Sequence, residues 1–336
     1  MMGAVPGPEL VEVEPARWDA LVRDLGVSDV YYARGLVEAS APLAGGAPAL
    51  LHLTGADGDV LFPCVVRRDP VDVATPYGYG GPLGVCARPP LEEFAAAYQA
   101  WCERRGAVSS FVVFHPLFAN DASEVAAGFH RNALAGTVAW PLEGRDIFAA
   151  MHKHHRRVVR RARAEGYEVA IDPQPAGLGG FVDVYEQTMR RTEAAPFYFF
   201  PDSYWQALVR DVPLVVVEVR QGGELLASVL GMGEPPWLHY HLGGTADAGR
   251  TTGASHLALF SLAVWGQEHG YRALHLGGGV GGRDDSLLEF KLRFAPDGLV
   301  GASVGKAVHD EAAYLRLSGA DAVDWDAFFP AYRAPR

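Results

Sequence analysis

Lys291 lies in the stretch "EFKLRF", residues 289–294, and shares lysine status only with Lys153 and Lys306 among 29 basic residues. An ammonium is a compact charge whose pKa moves with its surroundings, whereas a guanidinium is planar and permanently charged. A lysine kept against so strong an arginine background is therefore a candidate for chemistry that needs an ammonium. On spacing alone, the same residue reads as an ordinary surface lysine of a helix. A second concentration of chemistry is "MHKHHRRVVRRARAEG", residues 151–166, which sets Lys153, Arg156, Arg157, Arg160, Arg161 and Arg163 against the single carboxylate of Glu165. The chain around it is acidic, with a formal net charge of −11. His239 and His241 alternate along "LHYHL" with Tyr240 between them, so one face of a strand would present two imidazoles able to act as a general base. Satisfied core or cleft histidines are the plainer reading of the same pair. No acidic partner stands at ligand spacing from them, and no metal is expected.

These residues need elements to hold them. On a helical wheel Met151, His155, Val158, Val159 and Ala162 form an apolar stripe within one helix over 145–165, and all six cations reach solvent on its flanks. Carboxylates three or four residues away would mark a surface laced with ion pairs, and Glu165 alone is in place. Two readings follow: contact with polyphosphate or an RNA backbone, or pairing with acidic residues of another domain. A stripe this short suits a few phosphates, not a long duplex, so DNA is not an expected partner.

The chain also repeats itself. Residues 50–115 and 214–279 each carry a hairpin about a tight turn (Asp57-Gly58, Gly222-Gly223). A third strand then closes on Gly80-Gly81 or Gly243-Gly244, and an amphipathic helix and a buried strand follow. The helices end with Trp101 and Gly106 in one copy and Trp265 and Gly270 in the other, an offset of 164 at both pairs and 163 at the Gly-Gly pairs. Four features in register argue for duplication. The unit is an α+β half with a mixed, mainly antiparallel sheet flanked by helices. The expected division is a first domain over 1–143, a second over 144–307 carrying the basic helix, and a tail, 308–336, packing back on the first. "YEVAI" adds a strand before two helices, at 178–193 and 202–210.

Length and composition bound the rest. With 336 residues, 49% apolar and 21% charged, both cores can be built. The opening residues show no signal peptide, and no apolar run reaches the roughly 18 residues that span a bilayer. Cys64, Cys86 and Cys102 suit neither a disulfide framework nor a zinc site. A soluble monomer of a reducing, cytoplasmic compartment is expected, without integral membrane association.

Four stretches carry a family resemblance: "TPYGYGGPLG" (75–84), "YEQTMRR" with "FYFFPDSYWQAL" (185–208), "HLGGT" (241–245), and "HLGGG" with "SLLEFKLRFAP" (275–296). Together with the duplication, they make the chain resemble the Fem family of aminoacyl-tRNA-dependent peptidyltransferases, which carry two tandem acetyltransferase (GNAT)-like folds. The family's Phe-Lys-x-x-Phe is present as Phe290-Lys291-Leu292-Arg293-Phe294, followed by Ala295 in place of the usual glycine. No long charged heptad insertion occurs, so the compact form without a coiled-coil arm is implied.

The resemblance implies an enzyme forming an amide between a tRNA-borne amino acid and an amine of a peptide or peptidyl small molecule, a cell-wall precursor or natural-product intermediate. Aminoacyl-tRNA would be the co-substrate, with no further cofactor, and the six cations of 153–163 would contact the tRNA. Lys291 would meet the oxyanion of the tetrahedral intermediate, and Phe290 would wall it. Tyr77 and Tyr79 would face a cleft between the domains, and Arg191 and Tyr198 would lie where the acceptor binds, with His239 and His241 nearby. "GRTTGAS" (249–255) resembles the phosphate loop of acyl-CoA acetyltransferases. It supports an alternative, an acyl-CoA-dependent N-acyltransferase; in a Fem-type chain it would be a relic. A third reading, from another class, is a non-catalytic module that binds RNA or a partner.

Overall fold

The computed structural model describes residues 9–121 and 128–334. The extreme ends, on which the signal-peptide reading falls in part, lie outside the described residues. The chain divides into two units: one takes the described residues of Met1–Val27, Tyr31–Leu134 and Gly301–Arg336, the other Ser28–Val30 and Ala135–Val300. Each is an α+β unit built on its own sheet. No helix among the described residues is long and apolar enough to cross a membrane.

The first unit's strands are β1 (Leu10–Glu12), β2 (Gly46–Thr54), β3 (Asp57–Arg67), β4 (Asp72–Ala74), β5 (Leu83–Arg88), β6 (Ser109–Val113) and β7 (His130–Ala133). The second unit holds β8 (Thr137–Pro141), β9 (Glu168–Asp172), β10 (Leu214–Gln221), β11 (Glu224–Met232), β12 (Trp237–Thr245), β13 (Ala273–Gly278) and β14 (Leu299–Val300). The chain then returns to the first unit with β15 (Ser303–Val308). The first sheet runs β1-β2-β3-β4-β6-β15-β7, with β5 also on β3; the second runs β14-β8-β13-β12-β11-β10-β9.

The repeat is visible in how the strands pair. In each unit an antiparallel hairpin, β2–β3 or β10–β11, leads to a strand that pairs in parallel with the one after the helix, β4 with β6 and β12 with β13. The helices between, Leu91–Arg105 and Ala254–Glu268, bury Trp101 deeply and Trp265 in part. The copies differ in their third strand. In the second unit it is nine residues long, whereas in the first it shrinks to β4, and Gly80 keeps only a bridge to Phe114. The residues between form a loop, 75–82, as its glycines and two prolines demand.

Residues 135–143 lie in the second unit, not the first, because β8 pairs with β13 of the second sheet. Likewise 145–165 is not one helix. A short turn, Ile147–Ala150, is capped by Asp146, then Met151 and His152 are extended, and the basic helix proper spans Lys153–Ala164. Met151 is buried, but outside that helix.

The second core shows why its elements form. "LVVV" of β10 is apolar and buried on both faces, as an interior strand covered on both sides requires. The helix Ala254–Glu268 buries Ala254, Leu257, Ala258, Leu259, Phe260, Leu262, Ala263 and Gly266, most of its circumference. Against it sit Val159 and Ala162 of the basic helix, with Val217, Val219, Leu274, Leu276 and Phe294.

In the first unit, the last residues are fastened by a buried carboxylate. Asp72, at the head of β4, is fully buried and accepts from Arg67, from Tyr332 Oη at 3.0 Å and from Arg333 Nε at 2.6 Å. Removing one partner of such a cluster strands the others in low dielectric. Asp72→Ala is therefore expected to cost about 3–5 kcal/mol. Arg333→Ala, which removes a partly exposed member, should cost clearly less. Chemical denaturation of the two variants checks the order, and equal losses would contradict it.

Candidate active site

The helix carrying Lys291 is short, Ser286–Leu292, and owes its start to Asp285. One oxygen of that carboxylate accepts the amides of Leu287 and Leu288, both at 3.0 Å, and the other accepts Val280's at 2.8 Å. These amides, Leu288's foremost, hold Asp285 below the usual carboxylate pKa. The cap fixes the helix's rotation, so Leu288 and Lys291, three residues apart, turn inward together.

Lys291 is not the surface lysine that spacing alone would give; only 7% of it is exposed. Its Nζ donates to the carbonyl of Gly278, the last residue of β13, at 2.6 Å. Nζ also lies 5.8 Å from the centre of the Tyr240 ring, within cation–π range. Burial lowers the Lys291 pKa to about 8, while the Asp285 carboxylate pulls the other way. Tyr240 can take its place because Gly243 lacks a side chain: a Cβ there would stand 2.4 Å from the tyrosine oxygen. Burial raises the Tyr240 hydroxyl to about 12, so it stays protonated.

Phe290 does not wall the ammonium. Its ring sits 5.2 Å from His155, 5.0 Å from His256 and 5.3 Å from Phe294. Tyr240 supplies the aromatic face over Lys291 instead.

The basic helix turns His155, Val159 and Ala162 inward, as its periodicity predicts. Its cations have distinct fates. Arg156 donates to the carbonyls of Ala149 (2.8 Å) and Met151, closing the break before the helix. Arg160 and Arg163 lie over aromatic rings, Arg160 at 5.7 Å from Phe148 and Arg163 at 4.7 Å from Phe260. Arg161 reaches Glu165 at 3.6 Å while staying 75% exposed, a pair that contributes little in water. Lys153 and Arg157 are exposed and have no ion pair among the described residues. Glu165 is thus the one carboxylate paired with this helix among the described residues.

The helix packs closely on the start of Ala254–Glu268. A Cβ at Gly253, whose φ is +79°, would lie 2.8 Å from Val158 Cγ1. In "GRTTGAS" the Thr252 hydroxyl accepts the Ala254 amide at 3.1 Å and donates to Gly249 at 2.8 Å.

His239 and His241 are not held as one pair on one face. Between Leu230↔Leu242 and Gly231↔Tyr240 the strand β12 gains one residue, His241, in a bulge. His239 is buried, with Nε2 at 2.8 Å from Asp29 and Nδ1 at 3.3 Å from His275. His241 instead meets Tyr204 Oη at 2.8 Å, and burial followed by nearby His239 lowers its pKa to about 3. Asp29 is an acidic partner that sequence spacing missed, being 210 residues away from His239.

Arg191 ends the helix Gly179–Arg191 and donates to Asp247 and to the Thr245 carbonyl, both at 3.0 Å. Tyr198 is half-buried and offers its carbonyl to Tyr185 Oη at 2.8 Å. Tyr77 and Tyr79 are half-buried in the first unit's loop, where Tyr79 meets Tyr31 edge-on at 5.4 Å. The structure therefore gathers Lys291, Phe290 and the inner face of the basic helix, while Arg191, Tyr198 and the two histidines are held through other contacts.

Residues 149–291 match the acetyltransferase (GNAT) domain family. Among curated proteins, none matches the chain. Solved structures are similar in fold over most of its length. FemX superposes with a TM-score of 0.66 at 14% identity, covering 92% of this chain and 99% of its own. L-PGS from Bacillus licheniformis gives 0.59 at 14% identity, covering 88% and 92%. A tandem GNAT protein from the clavulanic acid biosynthesis pathway gives 0.51 at 12%, covering 90% and 98%. The chain is thus an α+β protein of two tandem GNAT-like units, and its fold is the one seen in FemX.

Proposed function

We propose that this chain is an aminoacyltransferase that takes its amino acid from aminoacyl-tRNA and joins it to an amine of a peptide or peptidyl small molecule. One observation carries the reading: a buried ammonium, Lys291, held on a backbone carbonyl beneath Tyr240. The Fem-type fold supports it. So does the likeness to a C-terminal domain from Agrobacterium fabrum named for a putative lysylphosphatidylglycerol synthetase, a name that itself denotes an amino acid joined to an acceptor.

In the reaction, the acceptor amine attacks the ester carbonyl and a C–N bond forms. The C–O bond to the tRNA ribose then breaks, and the amine's proton passes to the departing oxygen. The tetrahedral intermediate between carries a negative oxygen. An ammonium shielded from water stabilises that charge far more strongly than an exposed one. Lys291 would do so by turning from the Gly278 carbonyl toward the oxyanion. The exposed cations Lys153, Arg157 and Arg161 would hold the tRNA backbone, with Arg160 and Arg163 beside them; Arg156 is committed to the Ala149 and Met151 carbonyls. In the second unit Arg191 and Tyr198, with His239 and His241, would serve the acceptor, and the reading calls for no further cofactor.

A second reading, acyl transfer from coenzyme A, is favoured by "GRTTGAS" at the start of Ala254–Glu268 and by the GNAT family match. Incubation with total charged tRNA, with and without ribonuclease, separates the two by the mass gained in a peptide-containing extract. A ribonuclease-sensitive gain of one amino-acid residue is expected; a gain that requires an acyl-CoA instead would replace this reading with the second.

Lys291→Ala is expected to lower kcat about 10²- to 10³-fold with little change in KM, because the lost charge acts only in the transition state. Lys291→Arg should stay badly impaired, since a planar guanidinium does not fit the ammonium's niche. As the ammonium is the working form, the rate should fall as pH rises through about 8. That limb should vanish in the arginine variant, and a pH–rate profile reads it. Near-normal turnover by Lys291→Arg would remove Lys291 from the mechanism.

Lys153→Ala combined with Arg157→Ala should weaken tRNA binding without unfolding the protein. The slope of log K against log salt should flatten by about 0.7–0.9 for each phosphate that is no longer neutralised. Binding titrations over a salt series measure it, and an unchanged slope would make this helix a purely structural surface.

A further inference from the structure

His155 belongs to the basic helix, yet its hydrogen bond reaches the helix of Lys291. Its Nε2 lies 3.0 Å from the carbonyl oxygen of Phe290. A carbonyl can only accept, so Nε2 carries the proton. The Phe290 carbonyl sits in the last turn, where helical acceptors run out of partners. Arg293 N binds Glu289 O, and Phe294 N turns to Lys291 O, which leaves Phe290 O to the imidazole. That carbonyl is half of the peptide plane ending at Lys291 itself, so gripping it fixes where the lysine's Cα points. A second tie, His152 N to Arg293 O at 2.9 Å, fastens the same turn. The ring is 1% exposed, with ring centres of Phe294 at 4.4 Å and His256 at 4.5 Å.

We propose that His155 is a positioning residue for Lys291, holding the Phe290–Lys291 peptide so that the ammonium stays in its dry niche. The inference rests on the proposed role of Lys291. The imidazole is neutral at working pH: burial, then His256, lowers its pKa to about 3, with His154 and Arg293 acting in the same direction and only the Phe290 carbonyl opposing. The hydrogen bond therefore persists across the pH range of activity.

Three lysines make the test direct. In protein labelled with ¹³C at lysine Cε, Lys291 gives one of three resonances, assigned by its loss in Lys291→Arg. His155→Leu should let water reach the ammonium and raise its midpoint by about one pH unit. His155→Gln, whose amide nitrogen can reach the same carbonyl, should keep the wild-type midpoint, while His155→Asn falls short and should shift it. Enzyme-dependent discharge of total charged tRNA should show kcat lowered about tenfold in the leucine and asparagine variants, with KM unchanged. In a Lys291→Ala background His155→Leu should cost no further rate, since both act through one ammonium.

An unshifted Lys291 titration in His155→Leu overturns the proposal, and so does a loss confined to KM. If the leucine variant does not fold, the glutamine and asparagine variants decide, and identical titrations in those two overturn it. Full turnover by Lys291→Ala would sink the role of Lys291 in catalysis while leaving the titration result to stand on its own.

Discussion

A positive charge nearly out of water must be compensated nearby, and the second unit is arranged around that demand at Lys291. The compensation is small: one carbonyl, one aromatic face and a carboxylate at the other end of a short helix. Each element depends on another. The carbonyl is there because β13 ends at Gly278, the ring because β12 carries Gly243 three residues after Tyr240, and the carboxylate because Asp285 starts the helix. A single hydrogen bond to an uncharged oxygen leaves an ammonium less settled than an ion pair would.

The basic helix shows how one segment satisfies two solvents. Its inner stripe needs Val159 and Ala162 against the helix Ala254–Glu268, and its outer face needs water around the guanidinium groups. Arg160 and Arg163 bridge the two by laying their planes over Phe148 and Phe260, a placement that lysine would fill less well. Arginine stacking covers apolar surface while leaving charge outward.

Much of the architecture was legible in the sequence because it is written in local patterns. Hairpin turns, the paired helices ending Trp101-to-Gly106 and Trp265-to-Gly270, and the stripe of the basic helix all depend on neighbours a few residues apart. The α+β class and the tandem repeat followed from them. What escaped reading depends on distance. Asp29 meets His239 across 210 residues of chain, and no periodicity announces such a pair. The bulge at His241 has no sequence signal, yet it breaks the alternation that would give His239 and His241 one role. Lys291's burial was equally invisible in spacing; it arises from a cap, a strand end and a tyrosine on separate elements. The division after Leu134 was missed because β8 looks like any short strand until its partner β13 is known.

The return of the chain at β15 sets an order on the protein's synthesis. β15 lies between β6 and β7, and β7 pairs in its sheet with β15. Residues 135–300, by contrast, supply all but Ser28–Val30 of the second unit in one uninterrupted run. The first sheet therefore cannot close until Ser303–Val308 has been made, and until then the edge of β6 stays open to any strand that passes. The part made first is the part finished last.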